Sequence, residues 1–202
     1  MTRRERAVFM LAASLCAISG IFVSWSAYYR ATEEVPASGG SFTEGVVGQP
    51  MFVNPLIANG NGPDEDLMEL IFSDMGDLAE SYAENPDGKS WTVTLKEGLA
   101  WDDGKPITAA DVVFTVETMQ GGDAGSAQAG TWQGVIAEKI SDREVRFTLR
   151  EKNAFFESLA RSLRIAPEHV FAGIPPTNMR LSDYNLEPVG SGPYSWAGAD
   201  VE

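Results

Sequence analysis

Cysteine and histidine are almost absent from this sequence, which has one of each, Cys16 and His169, among its 202 positions. A single cysteine cannot form a disulfide within the chain, and one cysteine with one histidine cannot supply the four protein ligands of a structural zinc site. Carboxylates alone can bind calcium, but the sequence has no D-x-D-x-D-G loop. We therefore expect no metal site and no cofactor.

Basic residues are also few, with 15 Lys and Arg against 29 Asp and Glu, which gives a formal net charge of −14. A protein that binds nucleic acid needs a basic surface to neutralise phosphates. The charge balance therefore excludes nucleic acid as a partner. The acidic residues themselves are best explained as a solvated surface.

The motifs of the common enzyme classes are missing as well. The sequence has no G-x-S-x-G, H-E-x-x-H, P-loop or G-x-G-x-x-G string. Asp102 and Asp103 are adjacent acids, but their W-D-D-G context predicts a turn. Ser191 lies between two glycines, and its only possible histidine partner is His169. We therefore expect a protein that is not an enzyme.

A long hydrophobic run stands near the N-terminus. Residues 7–29 contain no charge and are long enough to cross about 30 Å of hydrocarbon as a helix. The basic residues before it, within residues 1–6, predict a short cytoplasmic N-terminal segment. We prefer an uncleaved signal anchor to a signal peptide cleaved near residues 24–26. The anchor would hold the protein at the extracytoplasmic face of the membrane, whereas cleavage would give a secreted or periplasmic protein.

The rest of the chain is typical of a folded α/β domain. Residues 30–41 are polar and rich in small residues, which predicts a linker. The apolar spacing predicts a strand over 42–47, a helix over 64–75, a strand over 91–95, a hairpin from 135–140 and 144–149, and a helix over 153–163. Thr108 is a candidate N-cap, because Asp111 follows three residues later and the apolar residues after it have helical spacing.

Two strings carry a family resemblance. They are GLAWDDGKPITAADVVFT over residues 98–115 and PVGSGPY over residues 188–194. Both resemble characteristic strings of the family 5 extracellular solute-binding proteins, the peptide and nickel receptors of ABC importers. Ser191 replaces the usual threonine and keeps the hydroxyl. The resemblance implies an α/β fold of the second periplasmic-binding-protein type, in which two lobes close over a ligand.

The resemblance also implies a division of the chain. Residues 42–202 would form the N-terminal part of a solute-binding domain, with the first strand of the large lobe and a small inserted lobe over about residues 59–185. Family members are more than twice as long, so we expect a truncated receptor that does not close on a ligand by itself. Residues 75–77 run together where the family carries a further segment, and we expect a strand or turn to be missing there.

Three residues are candidates for ligand binding. Asn54 and Pro55 match an Asn-Pro dipeptide that follows the first strand of the resembling family, at the mouth of its ligand cleft. They could equally form a turn that only reverses the chain. Trp132 follows a loop of small residues and could be a stacking wall for a ligand, or it could close over its own core.

These expectations lead to two hypotheses of different classes. In the first, the chain is the substrate-binding component of an ABC importer for oligopeptides and delivers its ligand to the permease subunits. In the second, it is a truncated or split-gene product that binds no ligand independently and acts as a membrane-tethered interaction module. The sequence leaves the ligand open between peptides, nickel complexes and sugars.

Overall fold

The computed structural model describes residues 2–31, 40–41, 43–57 and 61–198. These residues belong to two compact units that divide between Gly45 and Val46. The predicted linker falls mostly outside the described residues, as does Phe42, the first residue of the predicted strand over 42–47. Residues 43–47 form no strand, so that prediction is wrong for the part that is described. The reason is that no described strand pairs with this segment.

The first unit consists mainly of one long helix, α1 (Arg3–Ala31). Within Arg3–Tyr29, its most apolar window of 18 residues has a mean hydropathy of 2.2, and none of that window is buried within the protein. Trp25 and Tyr29 stack one turn apart near its C-terminal end, with ring centroids 5.2 Å apart. The predicted apolar helix is therefore confirmed, and its length and composition suit either a membrane anchor or a signal sequence.

The second unit packs helices on one face of a four-stranded sheet. Its helices and strands, in chain order, are α2 (Gly62–Ile71), α3 (Met75–Leu78), β1 (Ala79–Glu84), β2 (Ser90–Leu95), α4 (Ala109–Gln120), α5 (Ala129–Trp132), β3 (Ile136–Lys139), β4 (Glu144–Thr148), α6 (Phe156–Arg161) and α7 (Glu168–Phe171). Two 3₁₀ helices follow, at Pro176–Leu181 and Asp183–Asn185.

The sheet has the strand order β1-β2-β4-β3, with every neighbouring pair antiparallel. The predicted alternation over residues 91–95 is confirmed, because Trp91, Val93 and Leu95 are all buried on one face of β2. The predicted hairpin is also confirmed as β3 and β4. Its residues Val145 and Phe147 lie directly opposite Val93 and Trp91 and extend the same apolar face.

Strand β1 was not predicted from the sequence. At residues 75–77, where a strand or turn of the resembling family was expected to be missing, the chain makes one turn of helix, α3, and enters β1 at Ala79. Met75 is fully buried, and its amide donates to the carbonyl of Leu163 at 2.8 Å. The sequence of β1, AESYAE, has little β-propensity, so its pairing with β2 determines the strand.

The helix predicted over residues 64–75 is shorter in the structure, since α2 ends at Ile71. Phe72 is extended, with φ −117° and ψ 128°. The carbonyl of Ile71 accepts hydrogen bonds from the amides of Ser191 and Gly192, at 2.9 and 2.7 Å, instead of from a further turn of helix. A distant part of the chain therefore stops this helix.

The capped helix is confirmed as α4. The Thr108 side chain accepts from the amide of Ala110, and Asp111 Oδ2 accepts from the amide of Thr108 at 2.8 Å. Asp111 is buried, and its other oxygen accepts from the amide of Glu168 at 2.9 Å. One carboxylate thus caps α4 and also fixes the start of α7.

Candidate functional site

Two stretches of chain lie side by side at one place in the second unit. We call residues 50–57 the incoming segment and residues 185–194 the outgoing segment, and the place where they meet the junction. The backbone amide of Val53 donates to the carbonyl of Asn185 at 2.9 Å. In the sequence, all the helices and strands from α2 to α7 lie between the incoming segment and the outgoing segment. The junction therefore joins both ends of this lobe.

Asn54 lies at the centre of the junction and is fully buried. Its Nδ2 donates to Asn185 Oδ1 at 2.9 Å, and its Oδ1 accepts from the amide of Leu56 at 2.9 Å. Asn185 is 2% exposed, and its own Nδ2 donates to the carbonyl of Met179 at 2.9 Å. Both side-chain amides are therefore hydrogen-bonded on both sides, as buried polar groups must be to avoid a large desolvation cost.

Asp64, on the first turn of α2, holds the start of the incoming segment. Its Oδ1 accepts from the amides of Met51 and Phe52, at 2.7 and 3.1 Å. Its own amide donates to Oδ1 of Asn61, the N-cap residue of α2. The sequence indicated only a helix start at Asp64, and the structure adds a clamp on the segment that leads to Asn54.

A second pair of side chains fixes the outgoing segment. The amide of Ser73 donates to Ser191 Oγ at 3.1 Å, and the hydroxyl of Ser73 donates to the carbonyl of Ser191 at 2.9 Å. Ser191 Oγ is therefore occupied by Ser73 and makes no recorded contact with His169 within the described part of the chain. The pairing of Ser191 with His169 for catalysis, already disfavoured, has no geometric support.

The glycines on either side of Ser191 allow a close backbone approach. A Cβ atom built on Gly190 would lie 2.4 Å from the carbonyl oxygen of Ile71, and one on Gly192 would lie 2.6 Å from the carbonyl oxygen of Leu70. Neither position tolerates a side chain without backbone movement. The two glycines therefore let the outgoing segment pass close to the C-terminal end of α2.

The W-D-D-G turn contacts the junction on one side and His169 on the other. The amide of Asp102 donates to the carbonyl of Gly190 at 2.9 Å. Asp103 Oδ1 accepts from the amide of Lys105, as expected for a turn aspartate, and Asp103 Oδ2 lies 2.9 Å from His169 Nε2. The partner of His169, on α7, is therefore the Asp103 carboxylate.

The contact between Asp103 and His169 predicts that the stability of the folded protein depends slightly on pH. Burial raises the pKa of Asp103, but the hydrogen bonds from the Lys105 amide and His169, with the charges of both side chains, outweigh it and hold the pKa below its ordinary value. The resulting stabilisation is complete above the pKa of the unfolded chain, about 3.9, and is lost as the pH falls through the folded pKa. Asp103→Asn should therefore cost less than about 1 kcal/mol at neutral pH and nothing in strong acid.

Denaturation midpoints of the wild type and Asp103→Asn between neutral and acidic pH would measure this difference. His169→Gln should reduce it, because it removes the imidazole that lies at hydrogen-bond distance from Asp103 Oδ2. A difference that stays constant down to strong acid would contradict the assignment.

Trp132 lies in the core of the lobe and not at the junction. Its side chain is fully buried, packs against Phe147 and Phe156, and donates from Nε1 to Gln128 Oε1 at 3.2 Å. No face of the ring is available for stacking on a ligand, so the alternative from the sequence, closure over its own core, is the arrangement found. Pro55 is also buried, within the incoming segment.

A shallow cavity of about 230 Å³ opens beside the junction, lined in part by Ser73, Asp74, Arg164 and Pro193. Arg164 donates to Asp74 at 3.0 Å. Burial raises the pKa of Asp74 despite the opposing charge of Arg164. The described residues contain no cluster of acids, histidines or cysteines that could hold a metal ion.

Sequence reasoning singled out Asn54 and Pro55 as candidates for ligand binding, and it gave no role to Asn185 or Ser73 and no clamping role to Asp64. Asn185 lies in a loop-like stretch without periodicity, and no local signal in the sequence distinguishes it. Its role depends on a partner 131 positions away.

Comparisons with known proteins give consistent results. The family model described as "Bacterial extracellular solute-binding proteins, family 5 Middle" matches residues 75–201. The oligopeptide-binding protein AppA of Bacillus subtilis is 30% identical over 97% of this chain. Protein XP55 of Streptomyces lividans is 32% identical over 76% of it.

Solved structures show the same likeness. The ABC transporter substrate-binding protein CtaP of Listeria monocytogenes matches 77% of this chain with a TM-score of 0.69 and 33% identity. AppA of B. subtilis, solved with a nonapeptide, matches 75% with a TM-score of 0.66 and 29% identity. The chain spans 39% of the length of the AppA sequence and 33% of each solved chain. The α/β fold of the periplasmic-binding-protein type is therefore confirmed for this part.

Proposed function

Because this chain belongs to the family 5 bacterial extracellular solute-binding proteins, we propose that it serves as the substrate-binding component of an ABC importer. The match of the family model to residues 75–201 carries this proposal. The family consists of transport receptors, which agrees with the lack of enzyme motifs in the sequence. We therefore propose a binding role without catalysis.

The proposed ligands are oligopeptides. Support comes from AppA of B. subtilis, which is named an oligopeptide-binding protein and was solved with a nonapeptide. Several further relatives, 28% identical to this chain, are named putative ABC transporter peptide-binding proteins. An extended peptide would be bound largely through its backbone, which gives broad selectivity for side chains.

The junction is the proposed contribution of this chain to the ligand cleft. Asn54 and Pro55 are buried, so we propose that they do not touch the ligand and instead hold the incoming segment in the conformation that the ligand meets. Met51, 57% exposed, lies on the same segment and can reach a ligand. Trp132 has no part in binding in this proposal.

The proposed location of the protein in the cell rests on helix α1. We propose that this helix anchors the protein in the cytoplasmic membrane, with the second unit on the extracytoplasmic face and near the permease subunits. The uncharged length of the helix from residue 7 and the arginines at its N-terminal end support this orientation.

An uptake experiment tests the proposal. A strain of the source organism that lacks the gene should take up a labelled nonapeptide several-fold more slowly than its parent, and expression of the complete gene should restore uptake. Unchanged peptide uptake in the deletion strain would overturn the proposal, and loss of nickel or sugar uptake would indicate a different ligand class. A folded, membrane-bound chain that fails to restore uptake would favour the alternative of an interaction module.

A further inference from the structure

A series of three hydrogen bonds runs from Leu56 through Asn54 and Asn185 to Met179, and all three donate in that direction. The amide of Leu56 donates to Asn54 Oδ1, Asn54 Nδ2 donates to Asn185 Oδ1, and Asn185 Nδ2 donates to the carbonyl of Met179. The three distances are all 2.9 Å. Each side-chain amide uses its oxygen as an acceptor and its nitrogen as a donor, so rotating either amide by half a turn would place like groups against each other.

Because these residues are buried, other arrangements of their donors and acceptors are unfavourable. Asn54 is 0% exposed, Asn185 is 2% exposed, and Met179 at the end of the series is 1% exposed. Water cannot replace a lost partner at such positions without opening the packing, and an unpaired amide there carries its full desolvation cost. The series is therefore expected to hold one relative position of the two segments and to disfavour neighbouring registers.

We propose that Asn185 is a positioning residue for ligand binding, which acts through Asn54 to hold the incoming segment at the cleft. This inference rests on the proposed function, since it assigns the cleft to the incoming segment. Neither the sequence pattern nor the comparisons point to Asn185. Its backbone carbonyl accepts from Val53 while its side chain accepts from Asn54, so one residue holds two successive positions of the incoming segment.

The first test replaces the donor in the middle of the series. Asn54→Asp keeps an acceptor for the Leu56 amide but puts an ionised carboxylate where Nδ2 donates to Asn185 Oδ1. The introduced carboxyl can donate again only when protonated, so its pKa in the folded protein should lie above the unfolded value of about 3.9. Since the folded state then holds the proton more tightly, the variant should regain stability relative to the wild type as the pH falls below that raised pKa.

The measurement is the folded-to-unfolded ratio of the intact chain in detergent micelles at several pH values. At neutral pH the ratio should be reduced about tenfold for each unit by which the pKa is raised. Asn178→Asp is the matched control, because Asn178 is exposed on the 3₁₀ helix Pro176–Leu181 and should show no such recovery in acid. An Asn54→Asp defect that does not depend on pH would overturn the proposal.

The second test separates positioning from general stability. Asn185→Ala should increase the exchange rates of the Val53 and Leu56 amides by about five- to tenfold beyond the change in global stability, the factor expected for one lost buried hydrogen bond. Amides of the sheet, such as Val93 in β2, should change only with global stability. Exchange that rises equally at all of these amides would show a merely structural role and overturn the proposal.

Peptide uptake distinguishes this inference from the proposed function. If both hold, Asn185→Ala should reduce labelled-nonapeptide uptake several-fold at equal protein level, while Asn178→Ala should not. If the exchange change is found but the deletion strain takes up peptide normally, the proposed function fails and the two-asparagine contact stands as a feature of the fold. If deletion impairs uptake and Asn185→Ala does not, the positioning role fails alone.

Discussion

Trp132→Ala is expected to lower the free energy of unfolding by about 3–5 kcal/mol, the range for removal of a buried tryptophan. The side chain is fully buried, and its ring lies 5.9 Å from that of Phe147 and 6.1 Å from that of Phe156. Truncation would leave a large cavity between α5 and the sheet. It would also remove the donor to Gln128. A loss of this size is a large part of the roughly 5–15 kcal/mol that stabilises a typical domain.

Chemical denaturation of the whole chain in detergent micelles, followed by near-ultraviolet circular dichroism, would measure this loss. Phe155→Ala is a suitable control, because that aromatic side chain is 78% exposed and its removal should change stability by no more than about 0.5 kcal/mol. A Trp132→Ala variant with unchanged stability and reduced peptide uptake would restore the hypothesis that Trp132 stacks on a ligand.

Gly190→Ala should have the next largest effect. The added methyl would lie 2.4 Å from the carbonyl oxygen of Ile71 and 2.8 Å from Asp102 Oδ2, so the backbone must move. Overpacking typically costs about 1–3 kcal/mol. The movement would also strain two hydrogen bonds, from Asp102 to Gly190 and from Ser191 to Ile71, each worth about 1 kcal/mol.

Gly173→Ala is the matched control for this substitution. A Cβ atom on Gly173 has no neighbour within 4 Å, and the backbone there lies outside the left-handed region. The control should be neutral or slightly stabilising, because alanine reduces the freedom of the unfolded chain. If denaturation gave equal midpoints for Gly190→Ala and Gly173→Ala, the close packing of the outgoing segment against α2 would be contradicted.

Elements with complete local signals were predicted well from the sequence. Strand β2 follows from apolar alternation, and α4 follows from its Thr108 cap with Asp111 three residues later. Each of these signals acts between residues that are close in sequence. Helix α2 was predicted from the acids of its first turn, which are a local signal, but its predicted start was two residues late and its predicted end four residues late.

The sequence was less informative about elements that depend on distant partners. Strand β1 forms because β2 pairs with it, and α2 stops because Ser191 and Gly192 take the carbonyl of Ile71. In the same way, residues 43–47 have strand-like composition but no paired neighbour within the described residues. Pairing across the chain outweighed local preference in each case.

The same distinction between local signals and distant contacts applies to the candidate site. The sequence by itself determined the family, the apolar N-terminal helix, the acidic net charge, and the glycines of the outgoing segment. Only the tertiary structure decided that Trp132 is core and that Asn54 is paired with Asn185. The physical reason is that burial and hydrogen-bond partnership are set by which segments meet in space, and the two asparagines meet across 131 positions of chain.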